Sequence, residues 1–311
     1  MKAHGIMFHH FHDGNKHIVS QGSISSEEFS RLLDYYGETY NIISADEFLM
    51  RSEANTLQSA DVCLTFDDGL RCQYDIALPV MKERGLTAFW FIYSSPLDGV
   101  KERIEIYRHF RFSMFSDIDS FYEAFFFLVN ERFPETTKQL ENFIPSEYIK
   151  ECPFYTDNDR KFRYIRDVLL GEQKYYSLMD SMLIKFDYDI EKSANQLWLS
   201  KENIVDLHRN KHVIGLHSYS HPTVLANNDY SEQYFEYKKN KDQLESIIKS
   251  EIKSVSYPCN SYNDITLECM SDLGIKIGFR ADMTEVCIGD KRLEYPREDH
   301  SNIIRKMEMK I

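Results

Sequence analysis

Long apolar runs are missing from this 311-residue chain. No window approaches the ~18 apolar residues of a membrane span, so no transmembrane segment is expected. The first twenty residues are rich in histidine and contain no apolar h-region, so no secretion signal is expected either. Basic residues are scarce: Lys and Arg total 37 against 50 Asp and Glu, a net charge of −13. That balance argues against nucleic acid or an anionic membrane surface as the main partner. The six cysteines, at 63, 72, 152, 259, 269 and 287, form no CxxC pair and are too sparse for a disulfide framework. Cys63 sits inside an apolar strand pattern and reads as a buried thiol. Repeats and low-complexity segments are absent as well. These absences together point to a reduced, soluble, cytoplasmic protein.

Hydrophobic residues make up 42% of the chain and aromatics 14%, enough to bury a sizeable core in one large α/β domain or two smaller ones. His4–Phe11 reads as a first strand. Ser25-Ser26-Glu27-Glu28 reads as a capping box that opens a helix with Phe29, Leu32 and Leu33 on one face. Asp61–Phe66 is a buried strand, Ile76–Arg84 a helix stopped by Gly85, and Leu86–Tyr93 the next strand. Strand, helix and strand joined by short loops make a βαβ unit and hence a parallel sheet. The pattern resumes with strands at His212–Leu216, Ile252–Tyr257 and Ile275–Phe279, and a helix over Ile265–Leu273 ended by Gly274.

Between these halves, from about residue 96 to 200, the text becomes helical and aromatic, with Phe121, Tyr122, Phe125, Phe126, Phe127, Phe133, Phe154, Tyr164, Tyr175 and Tyr176. This segment is expected to be a helical insertion over the sheet, within a single catalytic domain spanning 1–311. Its aromatics read as core first and as a sugar platform second. Trp90 reads as packing, and Trp198 as a contact between insertion and barrel. The run Lys101–Arg111 (KERIEIYRHFR) is the one candidate basic patch, with a solvated helix face as its plainer reading.

Two short motifs carry chemistry. Thr65-Phe66-Asp67-Asp68-Gly69 follows a buried strand, and Asp and Gly alone could mark an ordinary turn. His217-Ser218-Tyr219-Ser220-His221-Pro222 directly follows a later strand. In parallel α/β folds, loops at the strands' C-terminal ends gather active sites. Two histidines four apart can converge on one cation, and with one carboxylate they make a facial set with open positions. A divalent transition metal that activates a water suits such a set. His9 and His10 are neighbours on a strand, so at most one of them faces the site, while His4, His12 and His17 read as surface residues.

TFDDG followed by HSxSHP resembles the NodB-type polysaccharide deacetylases, carbohydrate esterase family 4. The opening Met7-Phe8-His9 resembles that family's "MYH", and Ser256-Tyr257-Pro258-Cys259-Asn260 resembles its "YPYG" variant. The resemblance covers roughly residues 1–95 and 210–300. It implies a deformed (β/α) barrel with a helical insertion. It further implies Asp67 as catalytic base, Asp68, His217 and His221 as ligands of one divalent metal (zinc first; Co, Ni, Mn or Fe as alternatives), and the Cys259 backbone N–H as oxyanion donor. Tyr257 and His9 fall beside the substrate.

Two departures stand out. The arginine that precedes the Pro-aromatic motif in many members is missing, and Arg297 or Arg280 could supply its charge, with Arg297 preferred. His300 is the one match for the family's late histidine, the acid that protonates the departing amine.

The expected activity is hydrolysis of an N-acetyl or N-formyl group from an amino sugar, a nucleotide- or lipid-linked precursor of a surface polysaccharide such as O-antigen or capsule. Two other readings remain: a catalytically altered sugar-binding protein on the same fold, and another amide reaction, on a uronamide or by acyl transfer, at the same metal.

Overall fold

The computed structural model describes residues 2–149, 155–285 and 287–309, so Cys152 and Phe154 lie outside the described residues. The chain divides into two compact units, one formed by Met1–Glu102 with Gln196–Ile311 and the other by Arg103–Asn195.

The first unit is built on parallel strands: β1 (His4–Phe8), β2 (Asn41–Ile42), β3 (Asp61–Phe66), β4 (Ala88–Ile92), β5 (Val213–Leu216), β6 (Ser254–Ser256), β7 (Ile277–Phe279) and β8 (Arg297–Asp299). Their order is β7-β6-β5-β4-β3-β1-β8, with β2 pairing β3 off this path. The two ends of the sheet approach each other. Phe279 bridges Tyr295, the Tyr295 N–H donates to the Gly278 carbonyl at 2.8 Å, and the Arg297 N–H donates to the Asp282 carbonyl at 3.1 Å. A nearly closed barrel of parallel strands with surrounding helices results.

Alternation along the strands sorts side chains into two sets. Phe8, Phe66, Trp90, Leu216, Val255 and Tyr257 join one core with the helix residues Phe29, Leu32, Leu33 and Leu244. Cys63, Phe89, Phe91, Ile277 and Phe279 form a second cluster, which takes in Ala45 and Phe48. Met7, Thr65, Phe91, Gly215 and Ser254 share the parity of that second set. Two residues further along the same parity stand His9, Asp67, Tyr93, His217 and Ser256. The strands are parallel, so these five arrive at one end of the barrel.

Local signals explain the flanking elements. Helix Ser26–Gly37 opens on the expected capping box, with Ser25 and Glu28 each bonded to the other's backbone, and buries Phe29, Leu32 and Leu33. The helix expected over Ile76–Arg84 is split into a π-helical turn, Gln73–Ala77, and an α-helix, Leu78–Glu83. His4 and His17 are buried rather than superficial. His4 gains Tyr36 as a hydrogen-bond partner at 2.5 Å and His17 gains Asp75 at 2.9 Å, so burial of both rings is compensated.

The second unit is helical, with α-helices Arg103–Ser113, Ile118–Arg132, Asp157–Tyr164 and Gly171–Lys185 among its elements. Its core is aromatic. Phe110, Phe121, Phe125 and Phe162 are buried together with Leu178, Met179 and Met182, and the Phe125 and Phe162 rings meet edge to face at 4.9 Å. The aromatic run that opens this unit is therefore mostly core, with Phe127 left exposed.

Candidate metal centre

Two loops at one end of the barrel supply the site. Asp68 follows β3, and His217 and His221 follow β5. One ligand atom from each lies within 4.8 Å of the other two. The Nε2 atoms of His217 and His221 are both 3.3 Å from Asp68 Oδ1. That buried oxygen has no hydrogen-bond partner among the described residues. His217 uses Nδ1 to reach the Ser256 carbonyl at 2.8 Å, which directs the Nε2 lone pair at Asp68. A buried carboxylate oxygen facing an imidazole lone pair and a second ring nitrogen is a donor set that a divalent cation fits.

Asp67 stands beside this set in different company. Arg297 holds it with two parallel bonds, Nη1 to Oδ1 at 2.6 Å and Nη2 to Oδ2 at 2.7 Å. Burial pushes the Asp67 carboxyl up, but the Arg297 guanidinium outweighs it and holds the group below the ordinary carboxylate value. Asp67 therefore stays ionised at neutral pH with no metal contact required. The two neighbouring carboxylates separate where the strand ends and Asp68 enters the left-handed region, at φ +74°.

Residues 180–278 match the family model described as polysaccharide deacetylase. This span includes His217 and His221 and leaves Asp67 and Asp68 outside. Comparison with the curated proteins returns no significant match. Among solved structures, the Streptococcus pyogenes deacetylase PplD, in complex with acetate, is 16% identical with a TM-score of 0.55, over 96% of this chain and 92% of that one. IcaB from Ammonifex degensii is 15% identical with a TM-score of 0.57, over 95% and 90%. The BpsB deacetylase domain from Bordetella bronchiseptica is 13% identical with a TM-score of 0.52, over 95% of each.

The chain has the polysaccharide deacetylase fold.

The family match and this fold support an enzyme, a hydrolase acting on a C–N bond other than a peptide bond. Within the deacetylase barrel the remaining expected site residues separate into those near Asp67 and those elsewhere. His9 is near: its Nε2 lies 3.9 Å from Asp67 Oδ2, and its side chain keeps 31% of its surface exposed. Arg280, the alternative to Arg297, turns instead to Thr284 at 3.0 Å.

Tyr257 points the other way. It is buried, donates its hydroxyl to the Leu293 carbonyl at 2.8 Å and stacks on Tyr262 at 4.6 Å. Alternation is the cause: Ser256 takes the inward position, with Oγ 3.2 Å from Asp67 Oδ2 and 2.7 Å from Arg297 Nη2. Cys259 and Asn260 both adopt the left-handed conformation, at φ +52° and +58°. Asparagine tolerates that region, and here it also bonds Asp282 and the Ala281 N–H, at 2.7 and 2.8 Å.

His300 is removed from the solvent side of the site. It is buried, opens the helix His300–Glu308 and stacks on Phe8 at 5.6 Å. Its two nitrogens face the carbonyls of Met7 at 3.2 Å and Gly22 at 2.9 Å. Burial, more than the opposing pull of Asp299, lowers its proton affinity.

Several supporting residues carry no motif signal. Buried Gln73 donates to the carbonyls of His9 at 2.8 Å and Asp67 at 2.6 Å, tying the ends of β1 and β3 together. Asn240 accepts from the His217 N–H at 3.1 Å and donates to the Ile92 carbonyl at 2.9 Å. Glu236, on the helix Tyr230–Ile248, accepts the backbone N–H groups of Tyr219 and Ser220 at 3.0 and 2.8 Å. Five of the ten non-glycine residues with positive φ among the described residues (Asp68, Ser218, His221, Cys259 and Asn260) lie on these loops. Such backbone is held only where neighbours over-determine it.

Proposed function

We propose that this protein is a metal-dependent deacylase that hydrolyses the N-acyl group of an amino sugar. The carrying observation is the division of labour between adjacent carboxylates: Asp68 converges with His217 and His221, while Asp67 is clamped by Arg297. A divalent ion held by Asp68, His217 and His221, with zinc the first expectation, would supply Lewis acidity and acidify a water.

The chain's own groups account for the proton transfers. Asp67, kept ionised by Arg297, takes a proton from the water that attacks the amide carbonyl. The C–N bond of the tetrahedral adduct then breaks, and the nitrogen receives a proton as it departs as the free amine. His9, partly exposed and 3.9 Å from Asp67, is placed for that donation better than His300, whose nitrogens are occupied by backbone carbonyls. The Cys259 backbone N–H, on its left-handed turn beside Ser256, remains the proposed oxyanion donor.

The substrate reading is an N-acetyl or N-formyl amino sugar carried on a nucleotide or a lipid, a precursor of a surface polysaccharide such as O-antigen or capsule. It is tested by measuring acetate and formate released from a panel of N-acylated nucleotide sugars and lipid-linked sugars. Release from at least one, abolished in Asp67→Asn with metal retained, supports the reading. Metal-loaded protein that releases no acid from any member overturns it.

A further inference from the structure

The helical unit contains a group of arginines that the proposed reaction does not use. Arg111 ends the basic run of residues 101–111 and lies against three rings, with its guanidinium carbon 5.7 Å from the Phe112 centroid, 5.8 Å from Phe121 and 5.4 Å from Phe162. Arg166 lies 5.6 Å from the same Phe162 ring. Arg163 lies 4.1 Å from the Tyr155 ring. The Nε atoms of Arg111 and Arg163 are buried and have no hydrogen-bond partner among the described residues.

Counter-charge is short. Asp167 is bound by Arg166 through two bonds, at 2.5 and 2.9 Å. Asp159, a buried carboxylate on the same helix as Arg163, accepts from the Thr156 N–H at 3.0 Å and hydroxyl at 3.0 Å, and from the Tyr122 hydroxyl. Neither Arg111 nor Arg163 forms an ion pair among the described residues. Burial above all, with the charges of Arg166 and Arg163 adding to it, holds Arg111 below the ordinary arginine value. A desolvated guanidinium without an anion is costly, and the usual solution is a nearby carboxylate. In a chain of net charge −13 that solution was readily at hand, yet among the described residues only Arg166 has it, through Asp167, and Arg111 and Arg163 do not.

Aromatic contact engages a guanidinium through its π face and leaves the in-plane N–H fork for a planar or tetrahedral oxyanion. Phosphate oxygens match that fork and carry enough charge to balance several arginines. We propose that Arg111 and Arg163, beside an Arg166 that is already paired with Asp167, form a binding site in the helical unit for the phosphate or diphosphate group of a ligand. This assignment stands independently of the deacylase reading, because none of its residues belongs to the metal centre.

The test is calorimetric titration of the full chain with inorganic diphosphate, uridine diphosphate and geranyl diphosphate, in parallel with Arg163→Gln and Arg111→Gln. Saturable diphosphate binding that weakens tenfold or more in these variants, and persists in His217→Ala, is the expected result. Should Arg111→Gln fail to fold, Arg163→Gln, whose side chain is half-buried, decides alone. Tighter binding of the uridine compound assigns a nucleotide source, and tighter binding of the geranyl compound assigns a lipid source. Equal affinity for all three supports recognition of the diphosphate itself. No binding below about 10 mM, unchanged affinity in the arginine variants, or loss of binding in His217→Ala would each overturn the proposal.

Discussion

Arg297 and Asp67 meet in a fork that uses every donor the arginine has. Besides its two bonds to Asp67, Arg297 donates from Nε to the Arg280 carbonyl at 2.8 Å, from Nη1 to Thr65 Oγ1 at 3.3 Å and from Nη2 to Ser256 Oγ at 2.7 Å. A guanidinium has five N–H donors, and each has an acceptor here. The pair is fully buried, so its geometry is set by packing as well as by charge. In the sequence the arginine looks absent, because it does not precede the Pro-aromatic motif. In space it reaches Asp67 from a strand on the other side of β1.

Arg297→Lys should retain the charge and lose the fork. Turnover is expected to fall about 100-fold or more, the scale of losing an organised electrostatic contact at the reacting centre. Asp67 would also lose much of what depresses its proton affinity, so the acid limb of the pH–rate profile should move to higher pH. A variant with the wild-type profile would show that Arg297 does not act on Asp67.

How far the site was legible follows from the distance over which each signal acts. Asp68, His217 and His221 lie on loops directly after strands, and strand periodicity locates such loops well. Asp61–Phe66 has the expected bounds, and the helix expected over Ile265–Leu273 is found at Asp264–Asp272. The shorter strands β2 and β8 escaped because two or three residues show no periodicity. Tyr257 was misassigned for a related reason. Motif position says that a residue is near the site, whereas strand parity decides which face it takes, and Ser256 holds the inward position. Gln73, Asn240 and Glu236 leave no local signal, because their partners lie on other elements and only the closed barrel brings them together.

Gly5 makes room for the clamp. A Cβ at this position would lie 3.0 Å from Arg297 Cγ and 3.0 Å from Thr65 Cγ2. Gly5→Ala should therefore displace the arginine stem and cost about 1–3 kcal/mol, the usual penalty for overpacking a filled interior. Turnover should fall with it, while metal content stays at the wild-type level. Denaturant unfolding together with metal analysis checks both parts, and unchanged stability would mean that the stem has space to shift.

Glu236 acts on the metal centre only through the loop it anchors. Its Oε1 also accepts the Ser220 hydroxyl, at 2.8 Å, so one carboxylate holds the loop between the two histidines at three points. Glu236→Ala should weaken metal binding about 10–100-fold, as loss of an outer partner commonly does. Competition with a chelator measures this directly. An unchanged dissociation constant would show that the loop is held without it.

His212 predicts a pH dependence of folding separate from catalysis. Its Nδ1 accepts from the Ala88 N–H and from Trp90 Nε1–H, both at 3.2 Å, so it ties the starts of β4 and β5 in the neutral form. Burial, with Lys82 adding, lowers its pKa from 6.5 to about 4 against the pull of Asp206. Between those values the unfolded chain binds a proton that the folded chain does not. Stability from this residue is therefore complete above pH 6.5 and is lost as pH falls toward 4, by on the order of 2–3 kcal/mol. His212→Asn keeps an acceptor near the Nδ1 position and does not titrate. Urea unfolding at pH 7 and pH 5 should show a smaller drop in the variant than in the wild type. Equal drops would mean that His212 is not held neutral.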